Sequence, residues 1–523
     1  MMEETRGTRN KIFWIILCAT IVVGVGLRMY GLTDQSLWYD EVYSITHAER
    51  SYGQIVADCK ADVHPPLHYF ALHVWIKVFG PGELSVRSFA ALFGILLIPV
   101  ICYVGSSLFN RRVGLISAFI AAISQFHIRY SQEVRMYSML TLLGLISLFL
   151  LHKAVSTNTR SSWTAYVICI ILTIYTHNYG LFIAASGLVF FIIYALTQKL
   201  KWKRFLIAEA CIAISYIPWL PTIMDQFQNR IFGFIPQMQV YHIYDTLKFY
   251  GGFVFGHFDP GLNDLITYPG LSLFFCCFIA GIFSLRRYGW FSIPYVENNS
   301  GLFLLLCYLC VTLSLPMIIS VKKPIFLPGR YSIVAWPAFA LILGLGISKI
   351  KRMYRLLPVI VILMFVASCS LYWHYFVYVK SWDRVVAGFI QGRVRENDLI
   401  VFAPDFPSLS VDYYLRTPLK QLGFPYPTLM EVSQSTHVEG GPRTPATMVR
   451  LTEEKLANSD GKVFLVLREM SWINGVGVVG KLFDERFKKT ESVRYTDPKG
   501  HTDVTVYSLP ENYRTETSVT IGQ

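Results

Sequence analysis

The sequence predicts a polytopic α-helical membrane protein, with about eleven spans and a cytoplasmic N-terminus, followed by an extracytoplasmic α/β domain. Three observations carry this prediction: apolar runs long enough to cross a bilayer, basic clusters after every second run, and short-period patterning beyond residue 379.

Of 523 residues, 53% are hydrophobic and 15% charged, and the mean hydropathy is +0.43. That is too apolar for an ordinary water-soluble core. Runs of about 18 residues or more can cross a hydrocarbon layer roughly 30 Å thick. Their backbones must be helical, because amides left unpaired in lipid find no water. The spans read as 12–31, 88–108, 114–128, 137–152, 163–177, 180–197, 205–224, 269–285, 302–320, 331–348 and 356–376. No small-residue cleavage pattern follows the first, so it reads as a retained anchor rather than a signal peptide.

A formal net charge of +13 would suit a nucleic-acid partner, but the cations sort by position. Arg6, Arg9 and Lys11 precede the first span, and Arg111 and Arg112 follow the second. Lys153 and Arg160 follow the fourth, and Lys199, Lys201, Lys203 and Arg204 the sixth. Arg286 and Arg287 follow the eighth, and Lys349, Lys351, Arg352 and Arg355 the tenth. The positive-inside rule makes these short loops cytoplasmic and turns the others, with the C-terminus, outward. Membrane lipids, not nucleic acid, are the expected partners of this charge. The basic loops are too short for a nucleotide-binding domain, and no G-x-x-x-x-G-K-[ST] stretch occurs, so a built-in ATPase is not supported.

The outward segments are unequal: 32–87, 225–268 and the tail, 380–523. The chain thus divides into a membrane domain, 1–379, and an outward domain, 380–523. Within the first loop, PPLHYFALHVWIKVFG places Leu67, Phe70, Ala71, Val74, Trp75 and Val78 at helical spacing between Pro65-Pro66 and Gly80. It reads as an amphipathic helix on the membrane surface; as a span it would invert every later loop against the charge rule. In the tail, DRVVAGFIQGRV and LSVDYYL read as helices, and LIVFAP, KVFLVLRE and DVTVYSL as strands; Pro425 to Thr447 reads as a long loop. Of ten cysteines only Cys59 falls in an outer loop, so no disulfide framework is expected. Cys307 and Cys310 have C-x-x-C spacing but lie in an apolar run with no second pair, which argues against metal.

The charged residues of the outer loops are the candidates for chemistry. SLWYDEVYSI sets Asp40 and Glu41 among Trp38, Tyr39 and Tyr43; the bland alternative is an aromatic interface belt with its charges in water. His64 in ADVHPPLHY is a hydrogen-bond donor, a cation facing an anion, or a structural cap held by Pro65-Pro66. His64 and His68 have a zinc-like spacing, but no H-E-x-x-H is present and the prolines leave His64 outside the helix. RYSQEVRMYS holds Arg129, Glu133 and Arg135, which either face a cavity or pair with one another. VKKPIFLPGRYS adds Lys322, Lys323 and Arg330, headgroup anchors or a phosphate clamp. Carboxylates and cations on one face of a membrane suit a reaction in which a carboxylate takes a proton from a hydroxyl while cations meet a departing lipid phosphate.

In order, Asp40-Glu41, Asp62-Val63-His64-Pro65-Pro66-Leu67, RSFAALFG, YSQEVRMYS and PGRYS resemble the GT-C superfamily of glycosyltransferases. Within it, the match is to the family 39 and protein O-mannosyltransferase-like group, which includes bacterial relatives of the lipid A aminoarabinose transferases. The resemblance spans roughly residues 10 to 350. It implies an inverting enzyme that moves a sugar, mannose-like, from a polyprenyl-phosphate donor to a hydroxyl on the outer face. It implies Asp40 as the base, with Glu41 orienting it or touching the sugar, and Glu133 as a substrate contact. His64, Arg135 and Arg330 go to the donor phosphate, with Tyr331 among the substrate contacts. Aminoarabinose-type relatives carry Lys where His64 stands, which leans donor recognition towards mannosyltransferases. The tail does not resemble a MIR domain, so a protein, lipid or glycan acceptor stays open. No cofactor is implied, and cations can replace a metal at the leaving phosphate; activity that survives a chelator is the check. The rival class, a transporter or lipid flippase, requires mid-membrane ionisable residues and repeat symmetry between halves, and neither is seen. An inactive binder of lipid-linked sugar is the third reading.

Overall fold

The computed structural model describes residues 2–198, 202–229, 239, 272, 275–283, 300–404, 407–415, 420–423, 445–456, 460–470, 476–497 and 500–509. Two compact units are present: Met1–Leu32 with Ser44–Val377, and Thr33–Tyr43 with Tyr378–Gln523.

In the first unit the helices run α1 (Met2–Met29), α2 (Tyr39–Ala48), whose first turn belongs to the second unit, α3 (Tyr52–Ala61) and α4 (Leu67–Phe79). Then come α5 (Glu83–Leu108), α6 (Arg111–Ile123), α7 (Gln125–Ser131), α8 (Tyr137–Thr157), α9 (Arg160–Thr176) and α10 (Gly180–Gln198). α11 (Lys203–Tyr216), α12 (Leu220–Asn229), α13 (Ser300–Ser320), α14 (Trp336–Ser348) and α15 (Met353–Tyr372) complete the bundle. Among the described residues, seven helical stretches are long and apolar enough to cross a membrane, or eight if the pair α6 and α7, bent by 61°, is one span. The expected spans 163–177 and 331–348 fall on shorter helices, Arg160–Thr176 and Ser332–Ser348. Span 269–285 is described only at 272 and 275–283. Most of the loop 225–268 and of Pro425 to Thr447, with Lys199, Lys201, Arg286 and Arg287, lies outside the described residues.

The expected single span 114–128 is broken at Ser124, where a buried arginine meets the end of α6. Arg28, fully buried in α1, donates to Ala121 O (2.8 Å) and Ala122 O (3.1 Å), to Gly24 O, and to His127 Nδ1 (3.2 Å). The last carbonyls of a helix have no partner within it, so the guanidinium caps α6. Ser124 Oγ accepts from His127 N–H to start α7. One glycine contact lets α5 and α6 cross closely: a Cβ at Gly114 would sit 2.3 Å from Cys102 O.

The expected helix after Pro65-Pro66 is α4, closed by Gly80 at φ +80°. It buries His68, Tyr69, Leu72, His73 and Ile76. The apolar stripe read from spacing is the outer one, with Val74 and Val78 exposed at 53% and 67%. An outward apolar face is what a helix lying on lipid presents.

The second unit is a mixed five-stranded sheet in the order β2-β1-β3-β5-β4. Its strands are β1 (Leu399–Ala403), β2 (Lys420–Gly423), β3 (Val463–Met470), β4 (Lys488–Asp497) and β5 (Gly500–Ser508). β1 pairs in parallel with β2 and β3, while β3–β5 and β4–β5 are antiparallel. Because strand side chains alternate, β1 sends Leu399, Val401 and Ala403 against Val476, Val479 and Phe483 of α19 (Val476–Arg486). It sends Ile400 and Phe402 against Val386, Ala387 and Ile390 of α16 (Asp383–Gln391). α17 (Pro407–Tyr414) and α18 (Pro445–Leu456) complete the layers. The expected loop to Thr447 therefore ends earlier, since Pro445 already opens α18. Residues 33–43, read as part of a domain over 1–379, join this unit through hydrogen bonds. Gln35 donates to Tyr378 O (2.7 Å), Lys380 N–H to Gln35 Oε1 (2.8 Å), and Leu37 N–H to Tyr414 Oη (2.7 Å).

Candidate functional site

In the first unit, Pro65 and Pro66 hold His64 just ahead of α4, and Asn178 Nδ2 donates to Val63 O (2.9 Å), fixing the preceding peptide. Arg135, in the turn before α8, donates through Nη2 to His64 Nε2 (2.8 Å) and through Nη1 to Ser44 Oγ (3.1 Å). A guanidinium can only donate, so Nε2 carries the lone pair and the His64 proton sits on Nδ1. Burial, then the Arg135, His177 and Arg330 surroundings, hold the His64 pKa well below its ordinary value. With Nε2 accepting from Arg135, the His64 ring is in its neutral form in this arrangement, which fits the hydrogen-bond-donor reading of His64. Its neighbour His68 is also buried, and burial with Arg135 nearby lowers it to about 3. Among the described residues no group of three or more His, Cys, Asp or Glu side chains could hold a metal.

A cavity of about 220 Å³ opens beside His64. His177, Asn178, Tyr179 and Tyr331 share its wall with Leu181, Phe182, Ile223, Phe227, Ile319 and Ile325. The aromatic rings interlock: His64 and His177 lie 5.0 Å apart, His177 and Tyr331 5.6 Å, and Tyr179 stacks on Tyr331 at 4.9 Å. Tyr331 arrives on a loop shaped by Gly329 at φ +78°. Ser320 Oγ accepts from Ile325 and Phe326 N–H (3.0 and 2.8 Å), and Tyr179 Oη donates to Ile325 O (2.8 Å). Arg330 is half-buried on this loop. Lys323 Nζ sits over the Phe227 ring at 4.5 Å, while Lys322 is exposed.

Glu133 is buried in the turn between α7 and α8, where its carbonyl accepts from Arg135 N–H. The adjacent Gln132 donates to Arg28 O (3.1 Å) and Tyr30 O (2.9 Å) and accepts from His374 (2.9 Å), closing the end of α1.

The acidic pair divides in two. Both residues lie in the first turn of α2 and in the second unit, where the helix dipole favours anions. Asp40 is half-buried. Glu41 is fully buried, accepts from Trp38 N–H (3.4 Å), and is paired with Lys380 Nζ at 3.1 Å. Its carboxylate is therefore engaged in holding the helix start.

The structure thus groups His64, Arg135, Arg330 and Tyr331 in the first unit, and adds His177, Tyr179 and Ser44, which the sequence did not single out. The available signal for His177 was THNYG, a polar break between two apolar runs.

A helical membrane bundle with a histidine-edged cavity, and an α/β tail after it, make up a GT-C-like fold. Residues 63–224 match the family model described as dolichyl-phosphate-mannose-protein mannosyltransferase. The fold is similar to that of ArnT from Cupriavidus metallidurans in the apo state, at 15% identity and a TM-score of 0.59, covering 94% of this chain and 97% of that one. The same ArnT bound to undecaprenyl phosphate gives 14% identity and 0.56, covering 95% and 98%. The oligosaccharyltransferase of Archaeoglobus fulgidus, in complex with zinc and sulfate, gives 14% and 0.53, covering 95% of this chain and 74% of that one. No curated protein matches the sequence.

Proposed function

We propose that this protein is an integral membrane glycosyltransferase that takes a mannose-like sugar from a polyprenyl-phosphate donor and transfers it, with inversion, to an acceptor hydroxyl on the extracytoplasmic face. The observation that carries the reading is the apolar cavity whose wall includes His64, His177 and Tyr331, with Arg135 bonded to His64. An isoprenoid tail suits apolar walls, and a phosphate suits donors that a guanidinium backs. The match over 63–224 and the fold shared with an ArnT bound to undecaprenyl phosphate support the same donor class.

In the proposed reaction Asp40 takes the proton of the acceptor hydroxyl as its oxygen bonds to the anomeric carbon. The bond from that carbon to the phosphate oxygen breaks, and its electron pair leaves with the phosphate. Arg135 and Arg330 stabilise the charge that gathers there. Glu133 remains a proposed substrate contact. Glu41 is assigned to positioning rather than to proton transfer, in keeping with its bond to Lys380. Eleven crossings, a cytoplasmic N-terminus and an outward tail belong to the proposal and rest on the alternation of basic loops.

Asp40→Asn tests the base directly, since it keeps the size and removes the proton acceptor. Turnover is expected to fall by about 10²-fold or more, with unchanged folding and donor binding. Near-normal turnover would sink the role assigned to Asp40.

A further inference from the structure

Two buried ring N–H groups in the cavity wall have no described use. His177 Nδ1 accepts the backbone N–H of Tyr179 at 3.0 Å. A nitrogen that accepts carries no proton, so the His177 proton is on Nε2. That atom is buried and meets no hydrogen-bond partner among the described residues, in a side chain only 3% exposed. The complementary atom of His64, Nδ1, is in the same condition, because Nε2 is taken by Arg135. Both rings line the same cavity, with centroids 5.0 Å apart. The amide oxygens of Asn178 and Gln226, which line the same cavity, are likewise buried without a partner among the described residues. A buried donor without an acceptor is costly, and two ring donors side by side suit one acceptor group with several oxygens.

We infer that His177, through its Nε2–H, is a phosphate-binding residue that works with His64 Nδ1–H to hold the phosphate of a polyprenyl-linked ligand. This rests on the reading given under Proposed function and deepens it. Two N–H···O contacts of about 2.9 Å reach two oxygens of a single phosphate from rings at this separation. The tautomers are preset by fixed partners, a backbone amide for His177 and a guanidinium for His64, so neither ring must reorganise when the ligand arrives. Neutral donors add direction while the charge is left to Arg135 and Arg330, so the spent lipid phosphate is held without two further cations to escape.

The test uses the purified full-length chain in detergent, titrated with farnesyl phosphate, farnesol and inorganic phosphate. His177→Phe is expected to weaken farnesyl phosphate binding about tenfold and to leave farnesol binding unchanged. His177→Gln, which keeps an N–H donor at the same reach, should stay within about threefold of wild type. Equal binding by His177→Phe, a parallel loss of farnesol, or a Gln variant as weak as the Phe variant would overturn the assignment. Should His177→Phe fail to fold, ¹⁵N-histidine spectra of the wild type decide. The protonated Nε2 of His177 must shift with farnesyl phosphate and not with farnesol, and an unmoved resonance contradicts the inference. A wild type that binds no farnesyl phosphate removes the donor reading itself, whereas a wild type that binds while its variants are unaffected removes only the role of His177.

Discussion

A carboxylate pair adjacent in sequence need not share a task. Asp40 is half-buried, whereas Glu41 is fully buried against Lys380 at 3.1 Å. Removing one partner of a buried ion pair strands the other charge, at about 3–5 kcal/mol. Glu41→Gln is therefore expected to lower the unfolding midpoint of the purified protein clearly, and Glu41→Gln with Lys380→Met to recover most of it. Loss of activity at unchanged stability would instead make Glu41 a participant in the chemistry. The identity of these two residues was legible in SLWYDEVYSI, but their division of labour was not. It depends on Lys380, which is 339 positions away. The protonation of His64 was hidden for the same reason, since the guanidinium that fixes its tautomer stands 71 positions along the chain.

At the scale of elements, helix α4 shows both what periodicity reveals and what it misses. Its prolines and closing glycine mark its ends, but spacing alone cannot say whether an apolar stripe meets protein or lipid. Here the buried face carries His68 at full burial. Its pKa, pushed down from 6.5 to about 3 by burial and then Arg135, makes the unfolded chain the better proton binder between those values. Stability is accordingly complete above pH 6.5 and is lost on acidification, by up to about 1.4 kcal/mol per pH unit for this residue. Thermal unfolding followed from pH 8 to 5 should show a slope of this sign, to which the similarly lowered His64 and His177 add, and His68→Phe should make it shallower by one residue's share; an unchanged slope would assign the acid sensitivity elsewhere. Strands followed a similar rule. β1 and β3, buried runs of branched and aromatic residues, were legible, whereas β4, the exposed edge strand KKTESVRYTD, carried no apolar signal. The break at Ser124 was likewise invisible, because Arg28 of another helix caps α6 there.

For the whole molecule, composition sufficed for a polytopic membrane bundle, and the change of pattern near residue 379 for an α/β tail. The central claim is transfer from a lipid-linked sugar. Membranes containing the protein are to be incubated with radiolabelled polyprenyl-phosphate sugars and the label followed into product. Wild type should move label from the lipid to a hydroxyl-bearing acceptor, with a mannose-type donor preferred, and Asp40→Asn should leave it on the lipid. Label that stays on the lipid with wild type, or moves equally well with Asp40→Asn, would contradict the account.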